Sequence, residues 1–138
     1  MKVPQVLLVM AAVYVFNHVF GWLYRVWPNF DIPMHILGGL LAALLGLAFW
    51  QELILARKIK NVPPIAVALF LICFACLIAV LWEFHEFIID TYARSRIGPS
   101  YVPMQASLAD TMKDLLDGLI GASLGTIVFW KRLGNTTL

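Results

Sequence analysis

Four long apolar runs, roughly Pro4 to Tyr24, Pro33 to Ala56, Pro63 to Ile89 and Leu108 to Trp130, take up almost all of the 138 residues. Each supplies the about 20 residues with which a helix crosses the hydrocarbon core of a bilayer. Backbone amides and carbonyls in lipid must be satisfied within the segment, and these runs lack the strand-like alternation of a membrane barrel, so they are expected to be helices. The sequence therefore predicts an all-α polytopic membrane protein. It is expected to be a single integral membrane domain over residues 1–138, a four-transmembrane-helix bundle with helices at about 4–24, 33–56, 63–89 and 108–130. Composition agrees: 62% of residues are hydrophobic and 13% charged, against about a quarter charged in soluble domains.

The first run follows Lys2 as a secretory signal would. Its apolar part ends in Asn17, His18 and an aromatic cluster rather than a small-x-small cleavage site, so it reads as a retained helix. Lys2, Arg57, Lys58, Lys60, Lys131 and Arg132 flank one side of the runs, and Arg25, Arg94, Arg96 and Lys113 the other. The positive-inside rule then predicts insertion in the cytoplasmic membrane with both termini cytoplasmic. Trp22, Tyr24, Trp27, Tyr92 and Tyr101 mark the outer interface, and Trp50 and Trp130 the inner one. A net charge of +2, dispersed over helix ends, does not point to a nucleic-acid partner.

Small residues recur at helical spacing in the second and fourth runs: Gly38 with Ala42, Gly39 with Ala43, Ala42 with Gly46, Gly121 with Gly125. Such faces let helix backbones approach closely, within one bundle or between copies in a homo-oligomer. Cys73 and Cys76 form a lone C-x-x-C inside the third run and read as small core residues. The external loop Thr91–Ala106, with two arginines, two prolines and a glycine, is either a lid over the outer end or an ordinary connector.

Against this apolar background the stretch LWEFHEFIID, Leu81 to Asp90, carries four ionisable groups. Glu83, Glu86 and Asp90 fall at i, i+3 and i+7 and share a helix face, which His85 does not. The fourth run repeats the device with Asp110, Asp114 and Asp117, and antiparallel packing would set the two acidic stripes against each other at matching depth. The second run adds Asp31 and His35 at the same outer end, and the first adds His18. A charge within a membrane helix costs about 2.5–3.5 kcal/mol on insertion scales, and such residues face a bundle interior or cavity and mark function. Several carboxylates in one place must be neutralised by protons or by cations. Carboxylate with imidazole suits Zn or Mn, and carboxylate alone suits Mg or Ca.

Some of these groups have plain structural readings as well. Asp110 follows Ser107 by three residues, a capping box that opens a helix whatever the function. Asp31 is placed to cap the second helix ahead of Pro33, Asp90 sits where a carboxylate is solvated, and His18 and His85 read as packing residues. The expected metal site, near the outer leaflet, is His35, Glu83, Glu86, Asp114 and Asp117 with Asp110. Glu83, Glu86 and Asp114 are also the residues to which catalysis is assigned.

Three motifs recur in order: D-x-x-M-H-x-x-G-G at Asp31 to Gly39, W-E-x-x-E-F at Trp82 to Phe87, and an Asp-led glycine-rich helix at Asp110 to Gly125. Together they resemble the YjdF-type small integral membrane proteins and, more loosely, VanZ-like membrane proteins. The resemblance implies a four-helix bundle with a polar cluster and, for the VanZ-like group, an association with the cell envelope and the glycopeptide response. Asp114 to Gly118 is similar to the D-x-x-D-G opening of CDP-alcohol phosphotransferases, but the following Ala-Arg and second aspartate pair are absent, and that family is set aside. The residues point first to a metal-dependent membrane hydrolase or transferase acting on a lipid or lipid-linked headgroup, with membrane lipids as partners. They also suit a proton- or cation-coupled binding or transport protein, or an accessory protein with a structural polar core. The sequence offers no Ser-His-Asp or Cys-His arrangement.

Overall fold

Prolines and glycines punctuate the chain where backbone chemistry permits. The computed structural model describes residues 2–56 and 62–133, and every regular element among them is helical. Helix α1 (Val3–Val19) and helix α4 (Pro64–Ile97) both carry proline in the first turn, where a missing N–H costs nothing. A short helix α2 (Leu23–Val26) and a 3-10 turn at Pro28–Phe30 lead into α3 (Asp31–Leu55), and α5 (Leu108–Leu133) closes the chain.

Two boundaries differ from the sequence reading. The first helix stops at Val19 instead of reaching Tyr24, just ahead of Gly21, and the chain turns so that the Tyr24 hydroxyl donates to Asn17 Oδ1 at 2.7 Å. The third run stays helical to Ile97 and ends at Gly98, whose φ of 79° is a conformation that favours glycine. Arg94 and Arg96 therefore belong to the last turn of α4, where cations complement the helix dipole. The connector to α5 is correspondingly shorter than Thr91–Ala106.

By length and apolarity α3 and the segment Pro64–Ser100 qualify as membrane spans, while α1 is apolar but only 17 residues long. Helix α5 carries four charged residues, Asp110, Lys113, Asp114 and Asp117, in its first three turns, and Lys131 and Arg132 in its last. Helix α3 lies at the centre and packs against α1, α4 and α5. Leu47, Trp50, Val67 and Leu71 fill the α3–α4 contact away from the polar end, and Val6, Leu45 and Ala48 fill that between α1 and α3. Between them Ala42, Ala43, Ala75 and Ala122 form a core of small side chains.

That small-residue core is a close backbone seam between α3 and α5. A Cβ added at Gly39 would lie 1.9 Å from the Gly118 carbonyl oxygen, and one at Gly121 would lie 1.9 Å from that of Ile36. Gly125 is less tight, with a Cβ there 3.3 Å from the Leu40 carbonyl oxygen and from the Ala43 Cβ. Gly39, Gly118 and Gly121 thus serve packing within this chain. Cys73 is exposed rather than in the core, and Cys76 is half-buried. Of the basic residues used to orient the chain, Arg57, Lys58 and Lys60 lie outside the described residues, as do the side chains of Lys131 and Arg132.

Candidate functional site

The seam dictates which polar groups meet. Asp31, His35 and Gly39 follow one another at i, i+4 and i+8 on α3, and Asp114, Gly118 and Gly121 at i, i+4 and i+7 on α5. Each stripe is polar at one end and glycine further along. Backbone contact at the glycines brings the polar ends of α3 and α5 together, while α5 also packs against α4.

His35 Nε2 lies 3.1 Å from Asp31 Oδ1 on its own helix and 3.8 Å from Asp114 Oδ1 across the seam. One donor atom from each of Asp31, His35 and Asp114 falls within 4.8 Å of the others. Lys113 joins them from the rim: its amine donates to Asp31 Oδ2 at 3.1 Å, contacts Asp114 Oδ1 and stands 3.8 Å from Asp117 Oδ2. The ammonium therefore reaches deeper among the carboxylates than its place in the sequence suggests, with its aliphatic stem spanning the interface. Asp117 is buried, and its Oδ2 has no hydrogen-bond partner among the described residues.

The other expected ligands are engaged elsewhere. Glu83 Oε2 accepts 2.8 Å from the Gln105 amide, which also donates to the Glu83 carbonyl oxygen at 3.0 Å. Asp110 accepts from the Ala106 N–H at 3.2 Å, while its own N–H donates to Ser107 Oγ at 3.1 Å; this is the capping arrangement. Glu86 is buried and accepts 2.7 Å from the Trp82 indole on the preceding turn. The structure brings His35 and Asp114 together and leaves Asp117 beside Lys113; Glu83 and Asp110 bond elsewhere, and Glu86 lines the same cleft as Asp31 and His35 without joining the three-residue group. Asp31 and Lys113 are the members that sequence reasoning left out of the ligand set. The i, i+4 spacing of Asp31 and His35 was the signal for the first, but nothing local distinguishes Lys113 from an interfacial lysine.

Asp90 is more than a solvated carboxylate. It accepts from the Tyr101 hydroxyl at 2.7 Å and from the Met104 and Gln105 N–H groups at 2.9 Å each. These bonds fold the connector back along α4 and deliver Gln105 to Glu83. Donation to Asp90 pushes the Tyr101 phenol above its ordinary pKa, because the carboxylate stabilises the protonated hydroxyl.

A cleft of about 140 Å³ opens between α1, α3 and α4. Asn17, Tyr24, Asp31, His35, Trp82 and Glu86 form its polar end. Apolar and small side chains of the three helices line the rest. The Tyr14 ring of α1 packs edge-on against Trp82 and His85 of α4, with centroids 5.8 Å and 6.3 Å apart. The arrangement offers two carboxylates and an imidazole to a cation, a lysine that competes with that cation, and access from an elongated, mostly apolar space.

No curated protein and no solved structure is significantly similar to the chain. The model of a family described as predicted membrane protein DUF2238 matches residues 1–135, and with nearly its whole length matched the chain belongs to that family.

Proposed function

We propose that the chain crosses the cytoplasmic membrane with four helices, its termini cytoplasmic, and holds a divalent cation between Asp31, His35 and Asp114 to act on the polar group of a lipid or lipid-linked molecule. The observation that carries this reading is the grouping of those three donors within 4.8 Å at the polar end of an otherwise apolar cleft. A charged cluster at the margin of two apolar spans is costly unless it serves a site. Two carboxylates and an imidazole form a donor set suited to Zn or Mn. A cation so held would polarise a phosphoryl or carbonyl oxygen. Glu86, beside His35 on the cleft wall, is the group positioned to exchange a proton with a bound molecule. The four-span reading accommodates α1 and α5 because α1 is mostly apolar, and Lys113 and Asp114 of α5 are paired at the α3 contact. A resemblance to VanZ-like proteins would add an envelope role.

Elemental analysis of the detergent-purified protein, beside His35→Ala and Asp114→Asn, tests the reading. Stoichiometric Zn or Mn in the parent and loss in both folded variants supports it. No bound metal at saturating Zn or Mn overturns it. One observation favours a second reading, a proton- or cation-coupled transporter: the Lys113 ammonium already lies among Asp31, Asp114 and Asp117. Proton flux into liposomes that depends on Lys113 and Asp114 would support that alternative.

A further inference from the structure

Part of the wall of the cleft between α1, α3 and α4 is made of small side chains. Gly38, Ala42, Ala75 and Ala79 line it together with Leu41 and Ile78. A Cβ at Gly38 would meet nothing within 4 Å, in contrast to the seam glycine beside it. Close packing is the rule in protein interiors, so open space beside a glycine in an apolar wall is room for something else. An enclosed apolar cavity of about 150 Å³ takes a benzene molecule. The cleft, about 140 Å³ and open at the side, has room for about six carbons of a longer chain that continues into the bilayer.

The polar end selects a headgroup by charge. Asp31 already has Lys113 and His35 as partners, and Asp114 has Lys113. Glu86 differs: it lines the cleft, is 7% exposed, and among the described residues its one side-chain hydrogen bond is from the neutral Trp82 indole. A buried carboxylate without a cation calls for one, and a primary ammonium can both neutralise it and donate to its free lone pairs. We infer that the cleft binds one hydrocarbon chain of an amine-bearing lipid, with its ammonium group on Glu86. The inference rests on the lipid part of the function proposed above and is independent of the metal. Within it Glu86 is a binding residue, and Gly38 sets the space for the chain.

The test is native mass spectrometry of the full chain released from nanodiscs of equimolar phosphatidylethanolamine, phosphatidylcholine and phosphatidylglycerol with matched oleoyl chains. The parent should retain one phosphatidylethanolamine, favoured over phosphatidylcholine by roughly tenfold or more, the value of a charge-assisted hydrogen bond. N-methylated phosphatidylethanolamines should be retained progressively less, which probes the ammonium donors without altering the protein. Glu86→Gln should lose the preference, and Gly38→Leu should lose the retained lipid while keeping the metal content of the parent. No retained lipid, equal retention of phosphatidylcholine or phosphatidylglycerol, or an unchanged preference in Glu86→Gln overturns the inference. If Glu86→Gln does not fold, the methylation series decides alone, and indifference to methylation overturns it. Metal without selective lipid would sink this inference and leave the metal reading standing, whereas selective lipid without metal would do the reverse.

Discussion

Replacing Gly121 by alanine tests whether the glycine seam holds the polar ends of α3 and α5 together. The new Cβ would lie 1.9 Å from the Ile36 carbonyl oxygen and 2.7 Å from its carbon. An ordinary C···O contact is about 3.3 Å, so the shortfall is about 1.4 Å. The obstructing atoms are backbone on a central helix, so the helices must part. Parting by that amount would stretch the Lys113–Asp31 contact from 3.1 Å to about 4.5 Å, beyond hydrogen-bond reach. Overpacking of this kind costs about 1–3 kcal/mol, and loss of the partly exposed Lys113 pairing adds up to about 1 kcal/mol. Gly39→Ala should behave alike, because its Cβ would meet the Gly118 carbonyl oxygen at 1.9 Å. Gly38→Ala, one residue away on the same helix, meets nothing and gains up to about 1 kcal/mol of helix propensity. Thermal unfolding in detergent, with divalent-cation affinity measured on the folded protein, reads both effects. Gly121→Ala and Gly39→Ala should unfold earlier and bind Zn more weakly, and Gly38→Ala should do neither. Equal melting temperatures for all three variants would refute the argument that backbone contact at the seam sets the site.

Asp90→Ala removes the acceptor of three hydrogen bonds that fold the connector back, each worth about 1–3 kcal/mol as a bond to a charged group. Hydrogen exchange should quicken at Met104 and Gln105 while the α3–α5 contact stays protected, and unchanged exchange there would count against the fastening role. The raised Tyr101 pKa gives the same clasp a pH dependence. Its contribution is fully present below the unfolded tyrosine value of about 10 and is lost as pH rises through the higher folded value. A phenolate absorbance titration should show a late-ionising component to which Tyr101 contributes, and Tyr101→Phe should reduce that component by one tyrosine. Lys113→Met withdraws the cation that competes for Asp31 and Asp114, and should tighten Zn binding by roughly tenfold while lowering stability in metal-free buffer by up to about 1 kcal/mol. Weaker Zn binding in that variant would mean that the lysine supports the site rather than competing for it.

Helices, their number of apolar runs and the clustering of ionisable groups at one end were legible in the sequence. Hydropathy and the 3.6-residue period are properties of contiguous residues, so they mark helices, but run length missed two helix ends: α1 stops at Val19 and α4 continues to Ile97. The stripes Asp31–His35 and Asp110–Asp114–Asp117 were legible for the same reason. Their partners were not. The depth argument set the acidic face of α4 against that of α5, yet the glycines at 39, 118 and 121 let α5 approach α3 more closely, so Asp114 found His35 and Lys113 instead of Glu83. Likewise Glu83 was claimed by Gln105, and Asp90 by the connector, through a fold-back that spans 14 to 22 residues of sequence. A side chain's period tells which face it shares, but only the rotation and spacing of packed helices decide what stands opposite that face. Here a few missing Cβ atoms set the spacing, and with it the membership of the site.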